Sequence, residues 1–272
     1  MYKNKKIALC IVGFTRDFNK TLTTLVKNIL NNNVNKKILF DLYLVTYEKM
    51  FDKKIEEILT PYCNNIIIHL LKESDYSHDK ENINNSIFKN HQSLNKKLFD
   101  IEKRNPRTYH IMTKCFLPQF HHMLILKRMI EDSNEKYDII VKTRYDVLYE
   151  EPIDINCFFA QYINTSIVMP DKNFAYRYEE IDDNLKTKRT LKNTEYGKIN
   201  DVFLLSNHTN MLNYFNAINT TFKEISKLDL DKNESYVGYH IYKKLKLSTV
   251  HLSNKMGLYR KMSERLDMDM LK

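Results

Sequence analysis

A chain of 272 residues with 43% hydrophobic content is long enough for one sizeable α/β domain. Four glycines and five prolines argue against collagen-like, linker-rich and multi-turn all-β architectures. The 43 Lys+Arg against 34 Asp+Glu leave a net charge of +9, which suits an anionic partner, but the basic residues lie in short scattered clusters and form no long arm.

Cys10, Cys63, Cys115 and Cys157 are far apart and no CxxC occurs. That argues against a zinc ribbon and fits thiols in a reducing compartment, with Cys10 and Cys115 in apolar segments. Residues 1–20 lack a sustained apolar core of signal-peptide type, and no run approaches the ~20 apolar residues that span a bilayer. The expectation is a soluble, cytoplasmic protein.

Ile7 to Val12 reads as a first strand, buried on both faces. Gly13, Thr15 and Arg16 follow at its carboxyl end, where a glycine lets the backbone turn sharply or approach a ligand. Asn19 to Leu30 carries an apolar helical face. This strand–loop–helix opening lacks GxGxxG, which disfavours a dinucleotide site. Ile38 to Val45 is a second strand ending in Thr46. Lys53 to Leu59 is a short helix stopped near Pro61, and Asn65 to Leu71 a third strand, with His69 as a core or edge residue. Residues 72–97 are polar and read as a mobile loop or insertion.

Thr113 to Glu131 is the longest helix, with Pro118 near its first turn. His121 and His122 are adjacent and face different ways on it, which disfavours a joint metal site. The stretch Tyr137 to Pro152, YDIIVKTRYDVLYEEP, organises the chain. Ile139-Ile140-Val141 suits a buried strand, and it ends in Arg144 and Asp146. In open α/β sheets ligands bind at the carboxyl ends of strands. There Arg144 could clamp a phosphate and Asp146 hold a hard cation. The plain alternative is that the two side chains pair with each other.

Ile153 to Tyr162 then reads as a helix and Ser166 to Pro170 as a strand. Residues 171–198 are charged, without clear period, and read as a long surface loop. Asn200 to Leu205 is a strand, followed by a helix from Asn207 to Ile218 capped by Ser206 or Asn207. Glu234 to Leu245 is a late helix, and Leu247 to Leu252, containing His251, a closing strand. Residues 256–272 form a basic, amphipathic tail. No linker divides the chain. The expected fold class is a single α/β domain, residues 1–272, with a Rossmann-type, mostly parallel central sheet flanked by helices.

The segments IALCIVGFTRDF, DLYLVTYEK, YDIIVKTRYDVLYEEPI and NDVFLLSN, in this order, resemble nucleotide-sugar glycosyltransferases of the GT-A type. More narrowly, they resemble bacterial and giant-virus polysaccharide enzymes with R-x-D in place of D-x-D. The resemblance covers roughly residues 6–50 and 113–260. It implies a nucleoside-diphosphate sugar donor of UDP or GDP type, a glycan acceptor, and Mn²⁺ or Mg²⁺. It implies that Asp146 holds the metal, with His251 as second ligand. Gly13, Thr15, Arg16, Thr46 and Arg144 then line the donor, and Asp201 or Glu234 is the catalytic base. Arg144 contacts phosphate or ribose, or only braces Asp146. Each role has a plainer counterpart: capping for Asp201, a helix-dipole acid for Glu234 and a core histidine for His251.

Two other readings stay beside this one. A basic α/β protein could bind nucleic acid, but no recognition motif is present and the aromatics lie in apolar strands and helices, so no nucleic-acid partner is expected. A non-catalytic relative could bind the nucleotide sugar without turnover. The sequence leaves donor sugar, linkage and oligomeric state open.

Overall fold

The structure, a computed structural model, describes residues 5–13, 15, 18–34, 36–72, 100, 103, 117–159, 161–171, 175–181, 184–189, 202–220 and 237–261. Eleven strands are assigned among them: β1 Lys5–Val12, β2 Ile38–Tyr47, β3 Cys63–Leu71, β4 Ile139–Arg144, β5 Val147–Tyr149, β6 Ser166–Pro170, β7 Ala175–Ile181, β8 Asn184–Arg189, β9 Leu204–Ser206, β10 Ser248–Leu252 and β11 Met256–Lys261. Seven of them build a mixed sheet in the order β10-β6-β9-β4-β1-β2-β3. The neighbours of β1, β2 and β4, run parallel to it, and β9 runs antiparallel to both β4 and β6. The class is α/β, as the sequence predicts, with a mostly parallel sheet.

Strand alternation divides the core into two layers. Ile7, Leu9, Ile11, Phe40, Leu42, Leu44, Ile139 and Val141 pack on one face with α1 (Phe18–Leu25) and α2 (Lys54–Leu59). Ala8, Cys10, Val12, Tyr43, Val45 and Ile140 pack on the other, beneath α3 (Leu117–Asp132), α4 (His208–Phe215) and α5 (Ala217–Thr220). Residues of both layers in β1 are fully buried, which is why its sequence is a continuous apolar run.

A π-helical turn, Val26–Asn31, and a last turn, Asn32–Val34, extend α1. Their asparagines hold the chain that leaves β5. Asn28 donates to the Tyr149 carbonyl at 2.6 Å, and Asn33 donates to the Ile153 carbonyl at 2.8 Å and accepts from the Ile155 amide at 2.8 Å. Buried backbone groups of an irregular loop need such partners. The predicted helix from Ile153 to Tyr162 is instead two short 3₁₀ turns, Ile155–Phe158 and Gln161–Asn164. Asp154 caps the first by accepting from the Asn156 amide.

The second sheet, β5-β11-β7-β8, corrects two expectations. Within 171–198, expected as a surface loop, Ala175–Ile181 and Asn184–Arg189 form an antiparallel pair. Within 256–272, expected as a tail, Met256–Lys261 pairs with β5 and β7. So β10 does not close the fold. Register sets Glu179 opposite Lys186 of β8 and Arg260 of β11. The expected insertion at 72–97 lies, from residue 73 onward, outside the described residues, as does Cys115.

Tyr145, in the turn between β4 and β5, is fully buried against Phe18, with ring centroids 4.8 Å apart. Among the described residues its hydroxyl has no hydrogen-bond partner. An unpaired buried hydroxyl carries a desolvation cost of about 1–3 kcal/mol. Tyr145→Phe is therefore expected to leave stability unchanged or raise it by up to about 1 kcal/mol, read from urea midpoints. A loss above that size would show that the hydroxyl is bonded.

Candidate functional site

The strand order turns at β1. From there β2 and β3 continue to one side, and β4 lies on the other. A crevice opens at such a switch point, beyond the carboxyl ends of the two diverging strands. Register puts Val12 of β1 beside Arg144 of β4, so both chains leave the sheet at one level. Gly13 and Thr15 follow the first strand; Asp146 follows the second.

Gly13 has φ +110°, a left-handed conformation that L side chains rarely adopt. Its amide donates to the Val45 carbonyl at 3.2 Å, and its carbonyl accepts from Thr46 Oγ1 at 2.9 Å. A Cβ built on Gly13 would meet nothing within 4 Å, so the peptide faces open space. The Thr15 hydroxyl donates to the Met50 carbonyl, tying the loop to the turn after β2. Thr46 thus shapes the loop from below, on a fully buried position of β2.

Arg144 and Asp146 form a two-point ion pair, with Nε to Oδ1 and Nη2 to Oδ2 both at 2.8 Å. Both side chains are mostly buried, 18% and 16% exposed. The pairing anticipated from their i, i+2 spacing is real. The pair lies just past the carboxyl end of β4, at the switch point.

Sequence reasoning passed over two further groups. Lys142 is 3% exposed although it is a lysine in a central strand. It shares the α3 side of β4 with Ile140 and Arg144, and the period-two pattern in IVKTR carried that signal. His122 on α3 is buried, edge-on to Tyr47 at 5.6 Å. Burial, then the charges of His121, Arg144, His69 and Lys142, push its pKa down to about 3. Each of those charged neighbours is basic. The helical reading separated His121 and His122, yet both are buried here.

His251 lies elsewhere. It is exposed on β10, where its Nε2 meets Thr249 Oγ1 at 3.3 Å. Three strand spacings separate β10 from β4, about 14 Å across the sheet. Arg16, Asp201 and Glu234 lie outside the described residues. Among the described residues no group of three or more His, Cys, Asp or Glu side chains could hold a metal ion. Nor is any helix among them long and apolar enough to cross a membrane. No family model matches the chain, and no curated protein matches it in sequence.

Proposed function

We propose that this protein is a glycosyltransferase of GT-A type, moving a sugar from a nucleoside-diphosphate donor to a hydroxyl acceptor such as a glycan. One observation carries the reading. The Gly13–Thr15 loop and the Arg144–Asp146 pair converge at the topological switch point, beside Lys142. A crevice there offers an exposed backbone turn for a nucleotide and buried cations for its phosphates. Three of the four segments that resemble the family, those that form β1, β2 and β4, supply these residues.

In the transfer, the bond between the anomeric carbon and the diphosphate oxygen breaks, and its electron pair leaves with the diphosphate. The acceptor oxygen forms the new bond to that carbon, and its proton passes to a base. Asp201 and Glu234 are the proposed bases for an inverting reaction. Arg144 and Lys142 stabilise negative charge that grows on the leaving group, so their effect is larger in the transition state than in the ground state.

A thermal-shift panel of UDP-, GDP-, CMP- and dTDP-sugars tests the reading. One nucleotide family is expected to stabilise the protein, by ~2.7 kcal/mol at a hundredfold excess over Kd. Silence across the panel, with a salt-sensitive shift on adding oligonucleotide, would overturn it in favour of a nucleic-acid binder.

A further inference from the structure

Two pieces of chain meet at the switch point, the loop after β1 and the turn after β4. The loop feeds α1, where the Phe18 amide donates to the Thr15 carbonyl at 3.1 Å. The turn carries the Arg144–Asp146 pair, with Tyr145 between its two members. Helix α1 also grips that turn. Thr21, 1% exposed, donates from Oγ1 to the Tyr145 carbonyl at 2.5 Å, and Phe18 packs edge-on against the Tyr145 ring. Further along, Thr24 Oγ1 accepts from the Tyr149 amide at 3.1 Å, and Asn28 donates to the Tyr149 carbonyl at 2.6 Å. Thr21, Thr24 and Asn28 follow one another at spacings of three and four, so they form one stripe along α1 and its π-helical extension. Tyr149 pairs with Met256 of β11 on one side and gives its amide and carbonyl to this stripe on the other. The stripe thus stands where a neighbouring strand would, at the end of the second sheet. From the β4 side, the Thr143 hydroxyl meets the Tyr149 hydroxyl and closes the turn.

We infer that Thr21 is a positioning residue: it fixes the Tyr145–Asp146 peptide to the helix that grows from the Gly13–Thr15 loop, so that loop and turn shift as one body. That a ligand lies between them rests on the transferase reading above; the coupling itself is a property of the free protein. The physical reason is local. Arg144 and Asp146 flank Tyr145, so a carbonyl held at Tyr145 sets where their two backbones stand. A two-point ion pair is strict in its geometry and follows the backbone that carries it. A ligand that orders the loop then orders the pair as well, because both hang on one helix.

Amide hydrogen exchange of the full chain, followed by NMR, tests this in wild type, Thr21→Val and Thr21→Ser. Valine keeps the branched shape and removes the hydroxyl; serine keeps the hydroxyl. Thr21→Val is expected to speed exchange of the Tyr149 and Phe18 amides about threefold to tenfold, the size of one lost hydrogen bond. Amides at the centre of β2 are expected to change less than about twofold, and Thr21→Ser to stay within about twofold of wild type throughout. Calorimetric titration with UDP and with GDP, in Mn²⁺, adds a readout at the site. Thr21→Val is expected to weaken the preferred diphosphate more than about threefold, with serine restoring it. Faster exchange at Tyr149 alone, unchanged exchange at both amides, or equal acceleration in β2 would overturn the coupling. Unchanged diphosphate affinity in Thr21→Val would overturn the positioning role and leave the transferase reading standing. Failure of wild type to bind either diphosphate would overturn the transferase reading, and the exchange rates would still decide the coupling.

Discussion

Asp41→Ala is expected to lower the unfolding free energy by about 3–5 kcal/mol, the range for removing one partner of a buried charged network. Asp41 lies at the opposite end of the sheet from the crevice and is 1% exposed. Its Oδ1 accepts from Asn65 at 2.9 Å and its Oδ2 from the Tyr137 hydroxyl at 2.9 Å, with Lys6 Nζ at 3.4 Å. Tyr137 in turn bonds the Tyr43 hydroxyl at 2.7 Å. One carboxylate thus joins β1, β2, β3 and the entry to β4. Alanine would leave the Asn65 amide without this acceptor and the Tyr137 hydroxyl with only Tyr43 to bond. Lys6 would lose less, because it also reaches Glu135 at 2.7 Å and is partly exposed. Asp41→Asn retains an acceptor and is expected to cost about half as much. Urea unfolding of both variants with Tyr137→Phe, closed as a double-mutant cycle, checks this. Additive losses from Asp41 and Tyr137 would show that the two groups do not act together.

The same strands illustrate how far sequence carried the fold. Strands buried on both faces were legible in β1, β2 and β4 because each carries a run of apolar residues on both faces, broken in β2 only by Asp41 and Thr46 and followed in β4 by Lys142 and Thr143. A helix cap was legible at Ser206 or Asn207 from their position just before a helical period; the structure assigns it to Asn207, whose Oδ1 accepts from the Asn210 amide at 2.8 Å. The β7–β8 pair was not legible, because β7 also pairs with β11, which lies about 70 residues further along the chain. Periodicity within a window cannot register a partner so distant. The crevice was partly legible. Gly13, Thr15, Thr46, Arg144 and Asp146, assigned to the donor by the resemblance, stand at or after strand ends, and they lie at the switch point. His251 also ends a strand, but only the strand order reveals that its strand lies at the far edge. Lys142 and His122 escaped because each looks ordinary alone; burial beside one another's charge makes them notable, and burial is a tertiary fact.

Lowering the pH from 7 to 4.5 is expected to destabilise the fold by several kcal/mol through two histidines. His122 has its pKa lowered to about 3 by burial first, and then by His121, Arg144, His69 and Lys142. His240, at the start of the π-helical turn His240–Lys244, is fully buried, with Nε2 3.2 Å from the Asn213 carbonyl. Burial lowers its pKa to about 4, against the raising effect of backbone bonds to Asn213 and Tyr214; Lys244 lowers it further. In the unfolded chain both titrate near 6.5. Below that value the unfolded state binds protons that the folded state refuses, so stability falls as pH falls. The loss starts near pH 6.5 and is complete only below about pH 3. At pH 4.5 each histidine contributes about 2–3 kcal/mol of it. Urea unfolding of His240→Gln, whose side chain does not titrate, is expected to show about half the pH dependence between 7 and 4.5. An unchanged slope would mean that His240 is protonated in the fold. Because Arg144 and Lys142 are among the groups that lower the His122 pKa, acid that protonates His122 is expected to disturb the carboxyl end of β4 as it unfolds the protein.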